Sequence, residues 1–213
     1  MESETQMHST EIDRREILRK IFPDHRRFLF VSGLAGSARD CASLTDDGNN
    51  LFALGGAMGA ASMIGLGMAL AAASRDIVVV TGDGELLMNL GCLVTIATAQ
   101  PENLAIVCLD NGRHGETGNQ PGHTSGRADL EAMARGAGFA ETMTLRDRKT
   151  TKAAADFIAR RGSPRLLVVK ILDTPPSPYK RLMDPAACRI RFRTAFLASR
   201  LETSFPPASE ASR

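Results

Sequence analysis

Residues 77–111 have the sequence IVVVTGDGELLMNLGCLVTIATAQPENLAIVCLDN, in which apolar runs at 77–80 and 104–110 enclose a stretch of helical length. Continuous runs of Val, Ile and Leu are typical of central parallel strands, which are buried on both faces. The first run leads into Gly82-Asp83-Gly84, and the second ends in Asp110-Asn111. Ligands of open α/β sheets bind beyond the carboxyl ends of the strands, so this stretch predicts a site at one sheet edge.

The same alternation extends to both sides of this unit. Further strands are predicted at 28–35, 51–54 and 165–172, and helices at 12–22, 37–45, 55–74, 86–100, 129–138 and 149–161. Strands and helices that alternate along a chain favour a parallel sheet with helices on both faces. We therefore predict the α/β class, with a doubly wound parallel sheet flanked by helices in a single domain.

The chain is expected to have three parts. A flexible N-terminus at 1–11 precedes a main domain at 12–175, and a C-terminal extension at 176–213 carries an Arg-rich helix at 184–202. The sequence TPPSP, residues 174–178, marks the boundary of the extension because proline cannot continue a helix or a central strand. A length of 213 residues suits one sizeable domain with a small appendage.

The composition argues against nucleic acid and a membrane as partners. The chain has 26 basic and 24 acidic residues, one Tyr and no Trp, whereas nucleic-acid-binding proteins need a basic patch or stacking aromatics. Residues 51–74 are uncharged over a length that could span a bilayer, but their many glycines favour a buried, closely packed helix. The four scattered cysteines and the polar N-terminus favour a reducing compartment, and we expect a cytoplasmic protein.

The strand ends predict an anion and metal site. Glycines in Gly82-Asp83-Gly84 let the backbone approach a phosphate at a helix N-terminus. Asp83 would repel a bare phosphate, but a hard cation such as Mg²⁺ takes oxygen ligands from both. The side-chain oxygen of Asn111 and a loop carbonyl could complete its shell. The alternative is that Asp83 only forms a hydrogen bond within the turn.

This spacing of a GDG motif and a following Asp-Asn pair resembles the cofactor motif of thiamine diphosphate enzymes, in their diphosphate-binding domain. The segments ELLMNLG, LDNGRHGETGNQ and DLEAMARGAGF are similar to the sulfopyruvate decarboxylase β subunit and phosphonopyruvate decarboxylase family. The second motif departs from the usual Asn-Asn at Asp110. The resemblance implies thiamine diphosphate and Mg²⁺ as cofactors, with Asp83, Asn111 and the carbonyl of Arg113 as metal ligands.

The strand ends and the resemblance together give the predicted cofactor contacts: Ser32, Gly33, Gly56, Ala57, Met58, Gly82, Asp83, Gly84, Glu85, Asn111, Arg113, His114 and Gly115. Residues 55–59 resemble the loop that contacts the aminopyrimidine ring. The Glu85 side chain is expected to turn outward, because it would repel the diphosphate. His114 is the candidate catalytic residue, as a proton relay or a ligand of the substrate carboxylate. The alternative is a loop histidine bonded to backbone.

Thiamine diphosphate enzymes use a second domain, which binds the pyrimidine and supplies a catalytic Glu. Because the chain matches only the first, the resemblance implies a separate partner subunit with that Glu. It also implies decarboxylation of a small 2-oxo acid, 3-sulfopyruvate or 3-phosphonopyruvate, with Arg113 and Arg127 as candidate anion clamps. The Gly55/Gly59 spacing would let two helices approach closely, which predicts self-association. The alternatives are a non-catalytic or regulatory cofactor-binding protein, a carboligase subunit or an oxo-acid oxidoreductase subunit.

Overall fold

The computed structural model describes residues 10–204, and for residues 198–204 it describes only the backbone. Six parallel strands form the central sheet: β1 (Phe28–Ser32), β2 (Leu51–Ala53), β3 (Asp76–Gly82), β4 (Leu104–Asp110), β7 (Glu141–Leu145) and β8 (Arg165–Lys170). Their order in the sheet is β2-β1-β3-β4-β8-β7. A small antiparallel hairpin, β5 (Arg113–His114) with β6 (Gln120–Pro121), follows β4. The strand order reverses between β1 and β3, which confirms the predicted doubly wound sheet.

Helices cover both faces of the sheet. They are α1 (Arg14–Ile21), α2 (Ala35–Thr45), α3 (Ala61–Ala71), α4 (Asp83–Met88), α5 (Cys92–Ala99), α6 (Leu130–Gly136), α7 (Thr151–Ala159) and α8 (Pro185–Ser204). Alternate residues of the strands belong to two apolar clusters. Phe30 belongs to the same cluster as Ile17 and Phe157 on one face, and Val31 to the same cluster as Leu93 on the other. All of these side chains are buried, so the sheet is the middle of three layers.

The glycine-rich helix is shorter than the predicted 55–74. Residues 55–60 form a loop in which Ala57 and Gly59 have φ of 57° and 87°, and α3 begins only at Ala61. Gly55 and Gly59 therefore lie outside the helix, and the helix packing inferred from their spacing is wrong. Close packing occurs at Gly65 instead, where a β-carbon would stand 2.3 Å from Cγ2 of Val79 on the sheet. No helix among residues 10–204 is long and apolar enough to cross a membrane.

Other elements also differ from the predictions. The helix expected at 86–100 is split into α4 and α5 by a turn at 89–91, where the Asn89 amide donates to the Gly59 carbonyl at 3.0 Å. Strand β7 was not predicted, because ETMTL is a short edge strand with only its last residue buried. The strands predicted at 28–35 and 165–172 are also too long, because β1 and β8 end at Ser32 and Lys170.

Helix α8 packs against the edge strand β2, with the ring of Phe192 5.6 Å from that of Phe52. The helix predicted at 184–202 therefore exists, at Pro185–Ser204. The division of the chain at residues 11 and 175 remains a prediction, and residues 1–9 and 205–213 lie outside the described part.

Candidate active site

A cavity of about 650 Å³ opens at the carboxyl ends of β1, β3 and β4, beside the point where the strand order reverses. Its walls are the start of α2, the turn that begins α4, the β5–β6 hairpin and the segment after β8. Ser32 is in register with Val80, which brings the loop after β1 next to the turn after β3. A cavity of this size at this edge of an open α/β sheet is a suitable ligand site.

Asp83 is buried at the start of α4, and its carboxylate is near a second one. The Thr124 hydroxyl lies 2.8 Å from Oδ2 of Asp83 and 2.7 Å from Oδ1 of Asp110, so its one proton can serve either carboxylate. Burial raises the pKa of Asp83 and the charge of Asp110 raises it further, while hydrogen bonds from Thr124 and backbone amides oppose the rise. A bound cation would offset both the cost of burying the Asp83 charge and its repulsion from Asp110.

Asp110 is buried, does not line the cavity and has its own partners. Its Oδ2 forms an ion pair with Lys170 on the adjacent strand β8. Its Oδ1 accepts a hydrogen bond from the Gly112 amide at 3.0 Å. A carboxylate at position 110 is therefore balanced by a lysine, which accounts for Asp where the usual motif has Asn.

Asn111 is oriented by the segment after β8. Its amide nitrogen donates to Asp173 Oδ1 at 3.3 Å, and its Oδ1 accepts from the Arg113 amide at 3.2 Å. Asn119, in the hairpin, donates to Asp173 Oδ2 at 2.8 Å. Asp173 thus holds both the end of β4 and the hairpin at the cavity mouth.

Glu85 turns inward, so the expectation of an outward side chain is wrong. Its Oε2 accepts from the Thr81 hydroxyl at 2.9 Å and from the Leu34 amide at 3.1 Å. Its Oε1 accepts from the Gly59 amide at 3.4 Å. These donors stabilise a buried carboxylate, so the side chain stays inside although it would repel a phosphate.

The model of the thiamine pyrophosphate enzyme C-terminal TPP-binding domain family matches residues 41–169. The chain belongs to this family. It is 37% identical over 145 residues to "Sulfopyruvate decarboxylase subunit beta" of Methanocaldococcus jannaschii. The match covers 68% of this chain and 72% of that one. It is also 44% identical over 109 residues to "Phosphonopyruvate decarboxylase" of Streptomyces viridochromogenes, covering 51% of this chain and 27% of that one.

The fold also agrees with a solved structure. An X-ray structure from Mycobacterium smegmatis, described as a thiamin diphosphate-dependent enzyme, matches with a TM-score of 0.61 at 23% identity. The match covers 75% of this chain and 31% of the other. It shows the fold alone, which is that of a TPP-binding domain.

Most of the predicted site residues line the cavity of this TPP-binding domain: Met58, Gly82, Asp83, Gly84, Glu85, Asn111, Arg113, His114 and Gly115. The other four predicted contacts, Ser32, Gly33, Gly56 and Ala57, do not line it. Ser32 is buried in the sheet and Gly33 is packed against the Glu85 carboxylate. Gly56 and Ala57 are exposed on the loop before α3. The roles of all these residues remain predictions.

His114 stands beside the turn that begins α4. A β-carbon on Gly84 would lie 3.3 Å from Nδ1 of His114, so the glycine leaves room for the imidazole. The ring of His123 meets it edge-on at 6.3 Å between centroids. Arg127, predicted as an anion clamp, is exposed and does not line the cavity, whereas Arg113 does.

The donor set suits Mg²⁺ better than a metal held by side chains alone. Within residues 10–204, no group of three or more His, Cys, Asp and Glu side chains could hold a metal ion. Mg²⁺ usually takes one or two protein carboxylates and completes its shell with phosphates and other oxygens. Asp83 and Asn111 offer a carboxylate and an amide oxygen in one cavity, which fits a diphosphate-bound magnesium ion.

Among the residues of this region that were not predicted from the sequence are Arg14, Ser37, Thr124 and Asp173. Arg14, Ser37 and Asp173 line the cavity, and Thr124 lies behind it. Arg14 alone had a local signal, because it precedes Ile17 and Leu18 by three and four residues on the apolar face of a predicted helix. The others reach the site only through tertiary packing.

Proposed function

We propose that this chain is the diphosphate- and metal-binding subunit of a thiamine diphosphate-dependent decarboxylase of 3-sulfopyruvate or 3-phosphonopyruvate. The observation that supports it most is the convergence of Gly82–Gly84, Asn111 and His114 on one cavity of a TPP-binding domain. Relatives named for these two activities match this chain at 37% and 44% identity. The β-subunit relative is also similar in extent, since 72% of it is covered.

The residues have distinct proposed roles in this cavity. Asp83, Asn111 and the carbonyl of Arg113 hold Mg²⁺, and the backbone amides of Gly84 and Glu85 hold phosphate oxygens. When bound, thiamine diphosphate supplies the electron sink that accepts the electrons released as CO₂ leaves. His114 holds or moves a proton near the reacting carbon, or binds the substrate carboxylate.

A partner subunit that binds the pyrimidine and supplies the catalytic Glu is the second part of the proposal. Three related proteins are named as subunit beta, which supports an assembly of unlike chains. The phosphonopyruvate decarboxylase of S. viridochromogenes is much longer, because the matched part is 27% of it. A single longer chain can contain both the diphosphate-binding and the pyrimidine-binding parts, which this proposal divides between two subunits.

The outer faces of two adjacent helices also support association. Met63 and Leu70 of α3 and Val94 of α5 are 37%, 60% and 54% exposed. Gly67, between the first two, would have open space around a β-carbon. Apolar groups in such an arrangement favour contact with another subunit.

The test is a reconstituted decarboxylase assay. The chain is isolated from its native cells with thiamine diphosphate and Mg²⁺, and the co-purifying chain is identified and produced separately. We expect CO₂ release from 3-sulfopyruvate or 3-phosphonopyruvate only when both chains and both cofactors are present. Cofactor binding without turnover of either acid by the complex would contradict the decarboxylase and favour the non-catalytic alternative.

A further inference from the structure

A buried arginine forms part of the wall of the cavity that also holds the predicted metal ligands. Arg14 is only 9% exposed, although it carries a charge that is costly to remove from water. It lines the same cavity as Asp83 and Gly84. Buried charges of this kind are normally paired, and one partner is found in α2.

Asp40 fixes the guanidinium from behind. Arg14 Nε donates to Asp40 Oδ2 at 2.7 Å, and Asp40 Oδ1 accepts from the Ser177 amide at 2.9 Å. Asp40 is itself buried. The pair therefore ties α1, α2 and the segment after β8 together, and it engages the Nε edge of the guanidinium.

Gly36 leaves room for the guanidinium at the first turn of α2. A β-carbon on Gly36 would stand 2.1 Å from Nη2, 2.7 Å from Cζ and 2.9 Å from Nη1 of Arg14. Any other residue at position 36 would displace the guanidinium. The same turn brings the Ser37 hydroxyl to 3.9 Å from a β-carbon position on Gly82. Arg14 and the Gly82–Gly84 turn thus face the same part of the cavity.

We propose that Arg14, positioned by Asp40, binds the diphosphate group of the cofactor. Mg²⁺ neutralises only part of the charge of a diphosphate, and Asp83 and Glu85 add negative charge to the same cavity. A guanidinium offers planar, charge-assisted hydrogen bonds to phosphate oxygens. This inference rests on the cofactor of the proposed function and adds a ligand that neither the GDG turn nor the Asp110-Asn111 pair supplies.

Binding of thiamine diphosphate and of inorganic pyrophosphate, each with Mg²⁺, tests the proposal by calorimetry. The protein is the full chain together with its co-purifying subunit. Arg14→Met should weaken the binding of both ligands roughly ten- to a hundredfold, as expected for the loss of a charged hydrogen bond. Arg14→Lys should recover part of the loss. The matched control is Arg15→Met, next on α1, whose side chain is 48% exposed and contacts Asp13.

Thermal unfolding of each variant separates folding from binding. If Arg14→Met is too unstable, Arg14→Met with Asp40→Asn removes both members of the buried pair and should show the same loss of pyrophosphate affinity. Equal affinities in the wild type and folded Arg14 variants would overturn the inference, even if the KM of the oxo acid rises. Failure of the wild-type complex to bind thiamine diphosphate would instead overturn the proposed function, and the inference with it.

Discussion

The carboxylate of Glu85 fills the space that a side chain at position 33 would need: a β-carbon on Gly33 would stand 1.6 Å from Glu85 Oε2. The same carboxylate accepts hydrogen bonds from the backbone amides of Leu34 and Gly59. One buried acid therefore joins the turn that begins α4 to the loops that precede α2 and α3. The shape of the cavity depends on the absence of a side chain at position 33.

The first prediction is that Gly33→Ala destabilises the fold. The new methyl group must displace a buried carboxylate and its hydrogen bonds, and overpacking of this kind costs about 1–3 kcal/mol. Urea unfolding measures the change. Gly56→Ala is the matched control, because a β-carbon there meets no atom within 4 Å. Combining Gly33→Ala with Glu85→Ala should cost less than the sum of the single changes, and additive costs would contradict direct contact.

The buried strands could be predicted because their signal is local. Uninterrupted apolar runs gave β3 and β4 within two residues, and the polar residues after them gave the edge of the sheet where the cavity lies. Residues 55–60 gave no such signal, since a run of Gly and Ala fits a buried helix as well as a loop. Their loop conformation accompanies a contact with Asn89, 30 residues away along the chain.

The site residues that were missed or misjudged depend on distant partners. The inward position of Glu85 follows from donors 51 and 26 residues away, at Leu34 and Gly59. Asp173 meets Asn111 across 62 residues. Spacing along one sequence predicts which groups share a sheet edge, but hydrogen bonds between separate loops decide where each side chain points.

The second prediction concerns the proposed metal ligand. Asp83→Ala should abolish Mg²⁺-dependent binding of thiamine diphosphate and leave the fold intact. Burial and the Asp110 charge already raise the pKa of this carboxyl, so its removal relieves an unfavourable charge. Calorimetry with and without Mg²⁺ measures binding, and circular dichroism measures the fold. Undiminished Mg²⁺-dependent binding would exclude Asp83 as a ligand.

The third prediction is that the Thr124 hydroxyl supports the site. It lies within 2.8 Å of a carboxylate oxygen on both Asp83 and Asp110. Thr124→Val leaves these two buried acids without their common donor, at a cost of about 1–3 kcal/mol. Urea unfolding of the cofactor-free chain checks this. Thr124→Ser keeps the hydroxyl and should recover most of the loss, whereas full stability of Thr124→Val would contradict a supporting role for the hydroxyl.

The fourth prediction is that Asp173 positions Asn111. Asp173→Ala frees the amides of Asn111 and Asn119, so the hairpin should exchange its backbone hydrogens faster and Mg²⁺-dependent cofactor binding should weaken severalfold. Hydrogen exchange and calorimetry measure the two effects. Asp156→Ala, at an exposed ion pair on α7, is the control and should change neither. Unchanged exchange in the hairpin would show that Asp173 does not hold it.

The last prediction links pH to the helix that follows the hairpin loop. Asp129 caps α6 by accepting from the Ala132 amide at 3.0 Å, and this hydrogen bond lowers the pKa of Asp129. Because the pKa is lower in the folded state, ionised Asp129 stabilises the fold at a pH above the unfolded pKa of 3.8. This stabilisation is lost as the pH falls through the folded pKa. Asp129→Ala should therefore cost about 1 kcal/mol near neutral pH and less in acid. Urea unfolding of both proteins at several pH values measures the difference, which would stay constant if the cap did not depend on ionised Asp129.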